Sequence, residues 1–244
     1  PNEQLIWVKG QEAQLAPPSA AHWFGTDLYG RDILSRVIYG SRISLSIALA
    51  STGVSVVLGV TLGAIAGYFG GYADDFISWL VNVMYSFPFL LFVLTIVAFL
   101  QPSLTIMFIA IGVVSWPSVA RVIRGQVLSV KEKEFVESAV ALGARDLRII
   151  RHHILPNVLA PIVVQATLDM GTIIILEASL SYLGFGTPPP TPSWGKMISD
   201  GQQYLLSGQW WWSVFPGLAI CLTVLGFNLL GDGLRDALDP RLSE

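Results

Sequence analysis

Lys133-Glu134-Phe135-Val136-Glu137-Ser138-Ala139-Val140-Ala141-Leu142-Gly143-Ala144-Arg145-Asp146-Leu147-Arg148-Ile149-Ile150-Arg151-His152-His153-Ile154-Leu155-Pro156 stands apart from the sequence on either side of it. Charges crowd into it, small residues cluster, and Gly143 is followed thirteen positions later by Pro156. Glycine suits the C-terminal end of a helix and proline a first helical turn. The spacing therefore predicts two short helices joined at Gly143, with Pro156 opening the next element. Phe135, Ala139 and Leu142 fall at i, i+4 and i+7 and predict one apolar stripe. Ala139, Ala141 and Gly143 keep that surface slim, and Glu137, Arg145, Arg148 and Arg151 put charges beside it. A short helix of this kind fits a groove on a partner. An ordinary loop that is basic for topological reasons has the same composition, so the order of residues has to decide.

Outward from this hairpin the chain is apolar. Of its 244 residues 53% are hydrophobic and 13% charged, against roughly 25% charged in a soluble domain. The mean hydropathy is +0.61. A helix needs about 20 apolar residues to cross a hydrocarbon core of about 30 Å. Charge-free or nearly charge-free runs predict five spans, at about 44–69, 76–100, 103–120, 157–180 and 213–231. Gln101-Pro102-Ser103 divides the second from the third, and Pro88 predicts a kink in the second. Lipid admits only helices or closed barrels. The runs are continuous rather than alternating, so the fold class is an all-α integral membrane protein.

Positive charge sets the orientation. Seven of the fourteen Lys and Arg residues lie between 121 and 153, which places the hairpin 133–156 in the cytoplasm with the C-terminal tail 232–244. Residues 1–43 and the loop 181–212 are then extracytoplasmic. The split is nine basic residues inside to five outside. An outside Pro1 predicts a further span upstream, six in all. Loop 181–212 is rich in Pro and Gly and ends in Trp210-Trp211-Trp212, a triplet expected to mark the membrane interface. No linker divides 44–231, which reads as one transmembrane domain.

The net charge of −3 and the lack of a basic tract give no sign of nucleic-acid binding. There is no G-x-x-x-x-G-K-[ST] phosphate loop, no H-E-x-x-H and no G-x-S-x-G. The single cysteine, Cys221, reads as a small apolar residue, and His152-His153 point about 100° apart on a helix and make a poor joint metal site. The chain is expected to perform no catalysis and to bind no metal. Gln165, Asp169 and Thr172 recur on one face of the fourth span, and Glu177 lies about 80° around from Asp169. A carboxylate at bilayer depth faces the protein interior or a water-filled path. The face predicts either a translocation path for a cationic or amine-bearing solute, or a bond to a neighbouring helix, with Glu177 near the outer interface in the second case. Gly59, Gly63 and Gly67 have small-xxx-small spacing and predict close helix packing, and Asn82 and Asn228 predict interhelical hydrogen bonds.

The order of residues in the hairpin resembles the EAA loop of ABC importer permeases: E-A-A, three residues, G, nine residues, I-x-L-P. Here Glu137-Ser138-Ala139, Gly143 and Leu155-Pro156 stand at matching spacing, with Ser138 for the second-position Ala and His153 for the Ile. Phe24-Gly25-Thr26-Asp27-x-x-Gly30-Arg31-Asp32-x-x-Ser35-Arg36 is similar to the segment after the first span in the dipeptide/oligopeptide/nickel permeases of the C type. Pro189-Pro190-Thr191-Pro192-Ser193-Trp194-Gly195 and 227–240 extend the likeness along the chain. The resemblance implies a type I ABC importer transmembrane fold in the bacterial inner membrane. It implies pairing with a homologous B-type permease, two ABC ATPase subunits carrying ATP and Mg, and an extracytoplasmic solute-binding protein. Glu137, Ser138, Ala139, Gly143, Leu155 and Pro156 would be the ATPase-coupling residues. Peptides are the expected solutes, with nickel, glutathione or another small solute as alternatives. An ion-coupled secondary transporter using Asp169 is the reading from a different class.

Overall fold

The computed structural model describes residues 14–100, 103–188 and 191–238. Lys9, Gln101-Pro102, Pro189-Pro190 and the tail from Asp239 onward, which enter the reading above, lie outside the described residues. The architecture is helical: α1 (Ile33–Phe69), α2 (Gly71–Tyr85), α3 (Phe89–Leu100), α4 (Leu104–Lys131), α5 (Glu134–Ala141), α6 (Asp146–Ile149), α7 (Leu159–Tyr182), α8 (Trp194–Gln202) and α9 (Trp211–Leu238). A π-helical segment, Ile150–Ile154, and a 3-10 turn, Leu155–Val158, connect α6 to α7. Four helical stretches are long and apolar enough to cross a membrane, and α2 with α3 makes a fifth if that bent pair is one span.

The helices overrun the apolar runs. α1 has 37 residues, about 55 Å of helix at 1.5 Å per residue. α4 continues through Arg121 and Arg124 to Lys131 instead of stopping at Ala120. Charge ends a membrane run but does not end a helix, whose backbone bonds are indifferent to the solvent outside. At Pro88 the expected kink is a break, with α2 and α3 meeting at 85° across Ser86-Phe87-Pro88. Proline supplies no N–H and disfavours helical backbone in the residue before it.

The chain divides into two compact units. Unit 1 holds residues 1–50, 94–110 and 171–226, and unit 2 holds 51–93, 111–170 and 227–244. In unit 2 the core joins Ala64, Tyr68, Val119, Ile123, Val127 and Val130 of α1 and α4 to Val136, Ile149, Ile154 and Val158 of the hairpin. The three glycines of α1 make this close approach. A Cβ on Gly59 would come 2.5 Å from Val119 Cβ, on Gly63 2.6 Å from the Ala120 carbonyl oxygen, and on Gly67 2.9 Å from that of Arg124. Close packing expected from the spacing is thus α1 on α4 within this chain. The Asn82 and Asn228 side chains make no hydrogen bond among the described residues, so the bonds expected of them are not formed here. Asn82 instead lines a cavity of about 250 Å³ with Ser78, Arg121 and Arg124. There Arg124 holds Asp74 through two bonds of 2.5 and 2.6 Å.

Unit 1 is built on indole and carboxylate anchors. Trp211 is buried and donates its Nε1–H to the Thr26 carbonyl at 3.2 Å. Trp212 is buried and stacks on Tyr204. The last apolar helix starts at Trp211, as the triplet led one to expect; only Trp210 is exposed, while the Trp211 and Trp212 rings are buried within unit 1. Trp194 opens α8 from the interior and donates to the Val37 carbonyl at 2.9 Å.

Candidate functional site: the hairpin and the polar face of α7

The hairpin forms because its first helix has a definite stop. The Gly143 N–H donates to the Val140 carbonyl and the Ala144 N–H to that of Ala139, while Gly143 takes φ +76°. This is a Schellman closure, and its left-handed residue favours glycine. Arg145 is extended, and Asp146 starts the second helix. Nothing lies within 4 Å of a Cβ placed on Gly143, so the turn is open to the outside.

The inward face is Val136, Ile149 and Ile154, buried in the unit 2 core, with Ala139 also buried. The single stripe expected through Phe135, Ala139 and Leu142 is not formed: Ala139 points in, while Leu142 is 89% exposed and Phe135 40%. Leu142 still makes the helical bond from its N–H to the Ser138 carbonyl at 3.0 Å, but the face of α5 that packs inward runs through Val136 and Ala139 and leaves Leu142 to one side. Leu147 is also exposed, at 76%. Glu137, Ser138, Gly143 and Pro156 are exposed and Leu155 half-buried. At the one position where the resemblance departs most, His153 is half-buried and Ile154 fully buried, so the aliphatic contact comes from the next residue.

One polar joint fastens this hairpin. The Tyr68 hydroxyl, at the end of α1, donates to Asp146 Oδ1 at 2.8 Å. Lys131, the last residue of α4, donates from Nζ to the Tyr68 carbonyl at 2.6 Å and lies 5.4 Å from the Tyr68 ring centroid. Nothing in the spacing of Tyr68, Lys131 and Asp146 announces the joint, because the three are distant in sequence.

The polar face of α7 is placed as follows. Gln165 and Asp169 are half-buried, and Gln165 Nε2 donates to Asp169 Oδ1 at 2.9 Å. Asp169 Oδ2 has no hydrogen-bond partner. Thr172 is exposed. Glu177 is fully buried in unit 1 and accepts from the Ser44 hydroxyl at 2.8 Å and the Ser181 hydroxyl at 2.7 Å. It is an internal brace of its unit. Among the described residues no cluster of three His, Cys, Asp or Glu side chains is placed to hold a metal ion.

The Phe24–Arg36 motif has a place of its own. Asp27, fully buried, accepts from the N–H groups of Tyr29 and Arg31 and from the side chains of Arg31 (2.6 Å) and Arg36 (2.7 Å). Asp32, just before α1, accepts from the Ser35 N–H at 2.8 Å and caps the helix. Its other oxygen pairs with His22 Nδ1 at 3.0 Å. The signal for this buried knot in the sequence is the paired spacing of Asp27 with Arg31 and of Asp32 with Arg36.

Residues 59–244 match the family described as binding-protein-dependent transport system inner membrane component. The chain belongs to this family. It is 50% identical over 229 residues to the dipeptide transport system permease protein DppC of Alkalihalophilus pseudofirmus, covering 94% of this chain and 75% of that protein. It is 45% identical over 220 residues to the oligopeptide transport system permease protein OppC of Haemophilus influenzae, covering 90% and 70%. The glutathione transport system permease protein GsiD of Escherichia coli O6:K15:H31 is 46% identical over 225 residues, covering 92% and 74%. The MetNI methionine ABC transporter in an inward-facing conformation shares the fold, with TM-score 0.70 at 20% identity over 85% of this chain and 98% of that one. This permease is therefore a multi-pass protein of the bacterial inner membrane with the type I ABC importer fold, and it works with other subunits of its transport system.

Proposed function

We propose that this permease forms half of the path of an ATP-driven peptide importer, and that residues 133–156 are its handle on an ATPase. The observation that carries the reading is the two-sided hairpin. Val136, Ile149 and Ile154 fix it to the permease, while Leu142 and Leu147 stand in the open among charges. Apolar side chains held that far from their own core are suited to a partner's groove. Glu137, Ser138, Gly143 and Pro156 present the contact surface, with Ala139 and Leu155 seating it from behind. ATP and Mg belong to two separate ABC ATPase subunits, and no catalysis is assigned to this chain. A homologous B-type permease supplies the other half of the path, and an extracytoplasmic solute-binding protein delivers the solute.

Peptide as the solute follows from the dipeptide and oligopeptide permeases among the relatives. Their 45–50% identity spans most of the chain. The glutathione permease widens the class to a modified tripeptide. Gln165, Asp169 and Thr172 would face the path, and the unpartnered Asp169 Oδ2 suits the ammonium end of a peptide. Glu177 would serve it by holding α1 and α7 in place through Ser44 and Ser181.

Gly143→Trp is the test. Nothing lies within 4 Å of a Cβ at Gly143 to block the ring, but its φ of +76° costs any side chain about 1–2 kcal/mol. Gly143→Ala, which carries the same strain without the bulk, is the control and should keep most of the uptake. With Gly143→Trp, uptake of a labelled dipeptide into vesicles bearing the whole transporter drops to background. Normal uptake by that variant rejects the handle.

A further inference from the structure

We infer that Tyr68, Lys131 and Asp146 form the joint through which movement of the hairpin reaches α1, and that Tyr68 is a positioning residue for transport. The inference rests on the reading of 133–156 as the ATPase handle. Three helix ends meet at one side chain. Tyr68 is the penultimate residue of α1, Lys131 the last of α4, and Asp146 the first of α6. Among the described residues, the other contacts between the hairpin and α1 are apolar ones in the unit 2 core. Apolar contact is non-directional. A hydroxyl-to-carboxylate bond at 2.8 Å has a fixed length and direction. The Lys131 ammonium bonds the Tyr68 carbonyl at 2.6 Å, one residue before the end of α1, where a cation is favoured. It thereby ties α4 to the same residue.

The chain beyond the joint is built to yield. Directly after α6 come the π-helical Ile150–Ile154 and the 3-10 turn Leu155–Val158, before regular helix resumes at Leu159. Such departures from α-helical bonding are where helices flex and frequently mark functional sites. A push on the exposed side of the hairpin thus meets a directional link to α1 and a compliant link to α7. α1 follows the hairpin, and the 150–158 segment absorbs the difference.

The test uses the full transporter with its ATPases and binding protein, reconstituted in liposomes. Dialanine uptake and binding-protein-stimulated ATP hydrolysis are measured together. Tyr68→Phe keeps the ring and the carbonyl that Lys131 holds and removes only the hydroxyl. Uptake per ATP is expected to fall about tenfold, the size of losing one hydrogen bond to a charged group, while assembly and ATP hydrolysis persist. Asp146→Asn keeps an acceptor but loses the charge and should fall between wild type and Tyr68→Phe; Asp146→Ala should behave like Tyr68→Phe, and the double variant no worse than either. Unchanged uptake per ATP in Tyr68→Phe overturns the joint. So does a parallel loss of assembly, uptake and hydrolysis, which marks a merely structural bond. Gly143→Trp runs alongside: if it transports normally, the handle itself is wrong and the joint falls with it, whereas if only Tyr68→Phe transports normally the handle stands alone.

Discussion

The motif at 24–36 and the hairpin at 133–156 are both rich in charge, and the structure treats them in opposite ways. In the first, Asp27 is fully buried and takes four hydrogen bonds, and Arg36 is 4% exposed. In the second, the charges stay in water and two leucines join them there. A family motif therefore carries two kinds of information. Where its polar groups satisfy one another inside the fold, it encodes architecture. Where its groups remain open on a well-anchored frame, it encodes contact with something else. The glycines follow the same division. Gly25 is needed both for its φ of +75° and because a Cβ there would meet the Trp211 ring at 2.7 Å, whereas Gly143 is needed for its backbone angle alone.

The comparison breaks most easily at Asp27. If its role is architectural, Asp27→Ala leaves Arg31 and Arg36 without their carboxylate, and removing one partner of a buried ion pair costs about 3–5 kcal/mol. The expected outcome is a permease that fails to accumulate in the membrane, read by immunoblot of membrane fractions. A stable, inactive Asp27→Ala protein would instead put this knot among the functional contacts.

Within unit 2 the same logic applies to close packing. Gly63→Leu forces a side chain into space where even a Cβ lies 2.6 Å from the Ala120 carbonyl oxygen. Overpacking of this kind costs about 2–3 kcal/mol, and the thermal midpoint of the purified protein in detergent should fall accordingly. Glu177→Ala is expected to cost about 1–2 kcal/mol by stranding the Ser44 and Ser181 hydroxyls. Glu177→Gln should cost less, because the hydroxyls can rotate to meet an amide. If Glu177→Gln instead abolished transport at unchanged midpoint, Glu177 would belong with the path residues and not with the brace.

The spans, the helix–glycine–helix–proline plan and the α1 glycines were legible because each is a local pattern with a direct physical meaning. Twenty apolar residues need lipid, a left-handed turn favours glycine, and i, i+4 spacing makes a face. What was not legible depended on partners far away in sequence. The Trp211 indole is buried because Thr26, 185 residues earlier, offers it a carbonyl. Tyr68 looks like one more aromatic at the end of a span until Asp146 is brought to its hydroxyl. The Phe135–Ala139–Leu142 stripe failed for a smaller reason: the buried face of α5 runs through Val136 and Ala139, turned away from Leu142.

The smallest effect on stability is the sharpest test of the comparison. Leu142 is 89% exposed and packs against no core, so Leu142→Ser should move the thermal midpoint by no more than the equivalent of about 0.5 kcal/mol, as for other surface changes. If the hairpin's open side is a contact surface, the same change removes an apolar anchor from the ATPase groove. Co-purification of the ATPase should then weaken by about tenfold, the loss expected when one interface anchor costing more than about 1 kcal/mol is truncated. Ala139→Leu is the converse, since it enlarges a buried residue on the inward side: it should lower the midpoint and leave the outward surface chemically intact. Opposite outcomes for two residues three positions apart on one hairpin would separate anchoring from contact, residue by residue. Equal outcomes would mean that the hairpin has no such division and that its exposed leucines are incidental.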